Sequence, residues 1–75
     1  METELVEHIA RNLVNKPEEV RVSRREGRNT VVIVLHVAPD DMGRVIGKNG
    51  RVANAIRSLL RAMSKDRKRI ILEID

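Results

Sequence analysis

Gly47-Lys48-Asn49-Gly50, preceded by Val45 and Ile46 and followed by Arg51, is the stretch of this 75-residue chain whose residue types and spacing best suit a chemical task. Two glycines three positions apart let a sugar-phosphate chain approach the main chain closely, and they free the backbone to take dihedrals closed to other residues. A helix opening just after Gly50 aims unpaired N–H groups at a phosphate, and Lys48 and Arg51 add positive charge beside it. Contacts of this kind hold a nucleic-acid strand by its backbone and leave its bases unread.

Other residues with chemical potential make weaker cases. Asp40 and Asp41 stand together, but at the start of a helical pattern, where carboxylates serve as cap and dipole partner rather than as an acid/base pair. His36 alternates with Val32 and Val34 and reads as a strand surface residue, while His8 falls on the outer side of a helix. Cysteine is absent and only two histidines are present, which leaves a zinc centre hard to assemble and a disulfide framework excluded. The run from Gly43 to Asn49 is one residue short of a nucleotide-binding phosphate loop and has Asn49 where Mg²⁺ needs a hydroxyl. No serine has an evident base partner, so the expectation is a protein that is not an enzyme, with no cofactor, no metal and no small-molecule substrate.

The elements that must position the glycine turn follow from hydrophobic spacing. Leu5, Val6, Ile9, Ala10, Leu13 and Val14 recur at helical intervals, with Thr3 as N-cap and Asn15 and Pro17 closing the helix. Glu19 to Ser23 and Val31 to Val37 read as strands joined through Glu26-Gly27-Arg28-Asn29, a hairpin. Val31, Ile33, Leu35 and Val37 share the face expected to be core. A short helix starts at Pro39, capped by Asp40, runs to about Ile46 and is ended by Gly47. From Arg51 a longer helix presents Val52, Ile56, Leu59, Leu60 and Met63 inward and Asn54, Arg57 and Arg61 outward. After a polar link from Ser64 to Lys68, Ile70, Leu72 and Ile74 alternate as a last strand. Helix, strand, strand, helix, helix, strand predicts an α+β fold, three helices on one face of a three-stranded mixed sheet, as one domain over residues 1–75.

Charge is uneven along this order. Residues 1–42 hold six Lys/Arg against eight Asp/Glu, whereas residues 43–75 hold nine against three, so the basic half begins where the glycine turn begins. That distribution suits a polyanion. No apolar run approaches the roughly 18 residues of a membrane span, and Met1-Glu2-Thr3-Glu4 is acidic where a signal peptide is basic, so a cytoplasmic protein with no membrane partner is expected.

With order and turn in hand, the chain resembles a KH domain of the type II arrangement over nearly its whole length. Lys16-Pro-Glu-Glu-Val-Arg-Val22, the stretch from Val37 to Arg51 containing Val-Ile-Gly-Lys-Asn-Gly-Arg, and Ile56-Arg-Ser-Leu-Leu-Arg61 are similar to small bacterial single-KH-domain proteins of the KhpA type. The resemblance implies sequence-tolerant binding of single-stranded RNA, with Gly47, Lys48, Asn49 and Gly50 as a clamp on about four nucleotides of backbone. It further implies that Val45 and Ile46 supply an apolar floor for bases and that Arg44, Arg51 and Asn54 line the rim. A homodimer or a second KH-containing protein as partner, and a role in post-transcriptional control or RNA chaperoning, are implied by the resemblance alone.

Phe, Tyr and Trp are absent, so no aromatic platform can stack bases at ~1–3 kcal/mol each, and one domain should bind RNA weakly unless a second site is brought alongside. Two other readings compete. The helices around the glycine turn form a DNA-reading helix-turn-helix if Arg51, Asn54, Arg57 and Arg61 face a major groove, although the first helix is short and two glycines exceed what such a turn needs. A protein-interaction module without RNA binding would use Val32, Val34 and Ile71 on the outer face of the sheet.

Overall fold

A computed structural model of the chain describes residues 1–64 and 68–75. In order, α1 spans Glu2–Leu13, a 3₁₀ turn Pro17–Glu19, β1 Arg21–Glu26, β2 Thr30–His36, a 3₁₀ turn Pro39–Asp41, α2 Met42–Ile46, a 3₁₀ turn Lys48–Gly50, α3 Arg51–Met63 and β3 Arg69–Ile74. The sheet order is β1-β2-β3; β1 runs antiparallel to β2, with Arg24 opposite Ile33, and β3 runs parallel to β2, with Leu72 beside Ile33. This is the mixed α+β sheet that the element order predicts and the type II KH arrangement that the resemblance implies, and the last pairing, whose direction the spacing alone leaves open, is parallel. The interior of the polar link, 65–67, lies outside the described residues.

One face of the sheet carries the core. Val31, Ile33 and Leu35 of β2 are buried at 5%, 0% and 0% exposure and cluster with Val6 and Ala10 of α1, Val45 of α2, Ile56 and Leu60 of α3 and Leu72 of β3. All three helices therefore sit on that face. The opposite face is open: Val32 and Val34 are half-buried, Val32 lies beside Ile71, and Arg25 and Ser23 stand opposite them on β1. β1 is an edge strand with one half-buried residue, Val22, among exposed polar and charged ones, a composition that discourages further strand addition.

Several boundaries differ from expectation for identifiable reasons. Thr3 lies inside α1, whose N-cap is Met1 without a side-chain cap; Glu2 and Glu4 in the first turn and Arg11 in the last complement the helix dipole instead. β1 begins at Arg21 because Pro17 opens a 3₁₀ turn in which Lys16 O accepts from the Glu19 N–H and Pro17 O from the Val20 N–H, at 3.0 and 3.1 Å. Leu59 is 47% exposed: it is one residue step, about 100° of helix, from the buried Leu60 and turns out of the core. At the hairpin end Glu26 accepts from Arg24 Nη1 (2.6 Å) and Lys68 Nζ (2.5 Å), which hold its carboxyl below the usual range and tie β1 to the approach to β3.

Candidate nucleic-acid interface

The turn between α2 and α3 is built by backbone conformations that few residues tolerate. Gly47 has φ 77° and ψ 170°, Asn49 φ 58° and ψ 23°, and Gly50 φ 76° and ψ 15°. Asn is the side-chain-bearing residue best suited to the left-handed region, so Asn49 fits where it stands. The two glycines are required for different reasons. A Cβ on Gly47 would meet Val52 Cγ2 at 2.5 Å and Val52 N at 2.8 Å, so this position needs both the dihedral and the empty space. A Cβ on Gly50 would meet only Asn54 Nδ2, at 3.8 Å, so that position needs the dihedral alone.

Hydrogen bonds close the turn from within. The Gly47 N–H donates to Gly43 O (2.9 Å), ending α2, and the Gly50 N–H donates to Gly47 O (3.1 Å). Arg51 N–H donates to Lys48 O as α3 begins. The expected donors at the helix start are thus partly used by the protein, and the N–H groups of Lys48 and Asn49, which open the 3₁₀ turn, are the ones its geometry leaves without a partner inside it. Lys48 and Asn49 are exposed, as are Arg44, Arg51 and Asn54. From 42 to 64 the chain contains no acidic residue.

The expected apolar floor divides in two. Val45 is 0% exposed and belongs to the core cluster, so its side chain supports the turn from beneath and offers a base no surface. Ile46 is half-buried and, among the described residues, stands apart from the half-buried hydrophobics that pack on the core, such as Met42 and Val52.

Two residues had a role that their local pattern hid. Asp40 does not cap α2; Asp41 stands at its N-cap position but makes no side-chain cap bond, and, 1% exposed, accepts instead the N–H groups of Asn15 and Lys16 at 3.1 Å each, through separate carboxylate oxygens. These bonds, led by that from Asn15, and Arg44 Nε at 3.2 Å hold its carboxyl below the usual range against the opposing effect of burial. Arg44 is accordingly half committed to an internal anion. Arg57, grouped by helical spacing with the outward residues, instead lies half-buried along the flank of α3, donating Nη1 to Asn54 Oδ1 (2.8 Å) and directing Nη2 toward Leu72 O of β3 (3.5 Å). Neither contact is visible in a local motif, since Asp41 reaches back 26 and 25 residues and Arg57 forward 15.

Comparison with known proteins places the geometry in a family. A family model described as the KH domain of KhpA/KhpB matches residues 3–74. A protein named RNA-binding protein KhpA from Caldanaerobacter subterraneus subsp. tengcongensis is 51% identical over 72 residues, covering 95% of this chain and 96% of its own length. Its namesake from Clostridium perfringens is 49% identical with the same coverage. Among solved structures, a variant of Aquifex aeolicus Era bound to GDP·AlF4⁻ superposes with a TM-score of 0.54 at 23% identity, over 97% of this chain but 29% of the Era chain; that likeness concerns the fold alone.

Proposed function

Taking as premise that this chain belongs to the KhpA/KhpB KH-domain family, we propose that it binds single-stranded RNA by clamping the backbone at Gly47-Lys48-Asn49-Gly50. The observation that carries the reading is the turn itself. Positive φ at Gly47, Asn49 and Gly50 and the lack of room for a Cβ at Gly47 hold the Lys48 and Asn49 backbone outward, in a stretch free of acidic residues. A phosphate seated there meets backbone N–H groups and Lys48, with Arg51 and Asn54 at the rim and Ile46 as apolar floor. Arg44 contributes less, because Asp41 already engages it.

The protein acts in the cytoplasm as a post-transcriptional regulator or RNA chaperone and works with a second KH module, either another copy or a different protein. A site without aromatic stacking gains working affinity from a neighbouring site through effective concentration. The five-residue α2 speaks against the DNA-reading alternative, which needs a supporting helix long enough to pack. No helix among the described residues is long and apolar enough to cross a membrane.

The test replaces Lys48 and Asn49 together by Asp, leaving both glycines in place. Binding of a short single-stranded RNA should be lost while the melting temperature moves little, since both side chains are exposed and such changes cost within about 0.5 kcal/mol. Undiminished affinity in a folded double variant would sink the clamp.

A further inference from the structure

The sheet face that the helices leave open is divided by charge. On β1, Arg24 and Glu26 turn to the helix side, where Arg24 Nε meets Glu2 of α1 at 3.3 Å and Glu26 is engaged by Arg24 and Lys68. By strand alternation Arg25 faces the other way, and so do Val32, Ile71 and Arg69, each the neighbour of a residue on the core side. Arg25, Val32 and Ile71 form one row across the sheet, Thr30 and Arg69 form the next, and Arg28 stands in the turn beyond. All three arginines are exposed, and among the described residues none of them is in an ion pair. The carboxylate that β3 places on this face, Glu73, lies beside Val34, toward the opposite end. The sequence leading into β3, from Lys65 to Arg69, holds four basic residues against one acidic.

We propose that the hairpin end of this open face is a second RNA site, in which Arg25, Arg28 and Arg69 hold phosphates of the strand and Val32 and Ile71 lie beneath its sugars and bases. The inference rests on the clamp reading above and extends it: an RNA longer than the about four nucleotides of the clamp continues round the β3 edge onto this face. Strand spacing of ~4.8 Å and a rise of ~3.3 Å per residue set the Cα atoms of Arg25 and Arg69 about 12 Å apart, so their long side chains reach over the aliphatic pair from both sides. A cationic rim around so small an apolar centre suits a polyanion better than a protein partner, whose interface core is depleted of charge. Two weak sites on one strand reinforce each other through effective concentration, the gain that a domain without aromatic rings needs.

Fluorescence anisotropy on uridine oligomers of about 4 and about 16 nucleotides tests this, comparing the wild type with an Arg25→Gln/Arg28→Gln/Arg69→Gln variant. The statistical gain from the extra registers of the longer RNA is common to both proteins and cancels in the comparison. The triple variant should bind the longer RNA at least about fivefold more weakly, and its slope of log affinity against log salt should be shallower by about 2, at ~0.7 per phosphate contact. Its affinity for the short RNA should be unchanged, because the clamp is intact. In the unaltered protein, the backbone amides of Val32 and Ile71 should shift as the longer RNA is added. An equal loss on both RNAs would mark a loss of general positive charge and overturn the site, as would amide shifts confined to the clamp. Unaltered RNA affinities would also overturn it, and Val32 and Ile71 shifts that follow protein concentration would then give the face to a protein contact. Loss of the longer RNA by the triple variant but not by the Lys48→Asp/Asn49→Asp variant would leave this site standing and remove the clamp. Failure of the wild type to bind either RNA would overturn both.

Discussion

The two ends of α2 put the same chemical groups to opposite uses. At its start, the Asp41 carboxylate is 1% exposed and meets the N–H groups of Asn15 and Lys16 and the guanidinium of Arg44, so the protein supplies both the anion and its donors. At its end, the turn from Gly47 to Gly50 presents backbone and Lys48 to solvent with no acidic residue anywhere between 42 and 64. A buried polar group must find partners inside the fold because leaving it unmatched costs on the order of 1–3 kcal/mol. An exposed cationic turn faces no such demand and stays available for an anion from outside. The difference separates a polar cluster that builds the domain from one that equips it.

Substitutions within the open end should divide it further. Gly47→Ala brings a strained dihedral together with a collision against the Val52 backbone, and should cost about 2–5 kcal/mol. In a domain of this size each kcal/mol lowers the melting temperature by ~4–8 °C, so the change should be plain in a thermal melt. Gly50→Ala meets only the left-handed penalty, about 1–2 kcal/mol. Equal losses at the two glycines would mean that the close packing of Val52 under Gly47 is not what shapes the turn.

Val45 and Ile46 are neighbours on opposite sides of the line between scaffold and surface. Val45→Ala should cost about 2–3 kcal/mol and leave the RNA affinity of the folded fraction unchanged, since its side chain is wholly inside. Ile46→Ala should cost about 1–2 kcal/mol and weaken RNA binding, as expected of a half-buried side chain immediately before the glycine turn. Thermal melts with RNA titrations on both variants separate the roles, and an Ile46→Ala protein with full affinity would remove Ile46 from the interface.

The closed end should respond to pH. The Asp41 carboxyl titrates below its ordinary value of 3.8 in the folded protein, so its stabilisation is fully present above that value and is lost as pH falls through the folded-state value. Asp41→Asn removes the charge and sets an amide donor against one of the two N–H groups. The wild type should melt higher than this variant at neutral pH, and the gap should narrow as the pH is lowered below 3.8. A gap independent of pH would show that the carboxylate charge is not what holds residues 15 and 16 to the start of α2.

The open end was readable in the sequence, and the closed end was not. Gly-Lys-Asn-Gly announces a special backbone by its own residue types, and the alternation of Val31, Ile33 and Leu35 announces a buried strand face, because both signals are local. Asp41 looks like any helix-start carboxylate until the fold brings Asn15 and Lys16 beside it. Val45 and Ile46 carry similar side chains, and only the angle at which α2 meets the sheet decides which one enters the core. Leu59 and Arg57 were misassigned in the same way: helical spacing marks a stripe, but its edges depend on what packs against it, here β3 on the Arg57 flank.

A titration of the isotope-labelled protein with a short single-stranded RNA, followed through its backbone amide resonances, sets the two ends of α2 against each other in one experiment. The amides of Lys48, Asn49, Arg51 and Asn54 should move as RNA is added, while those of Asn15 and Lys16, already donating to Asp41, should stay in place. Shifts gathered on the outer sheet face around Val32, Val34 and Ile71, with the turn from Gly47 to Gly50 unmoved, would contradict the account.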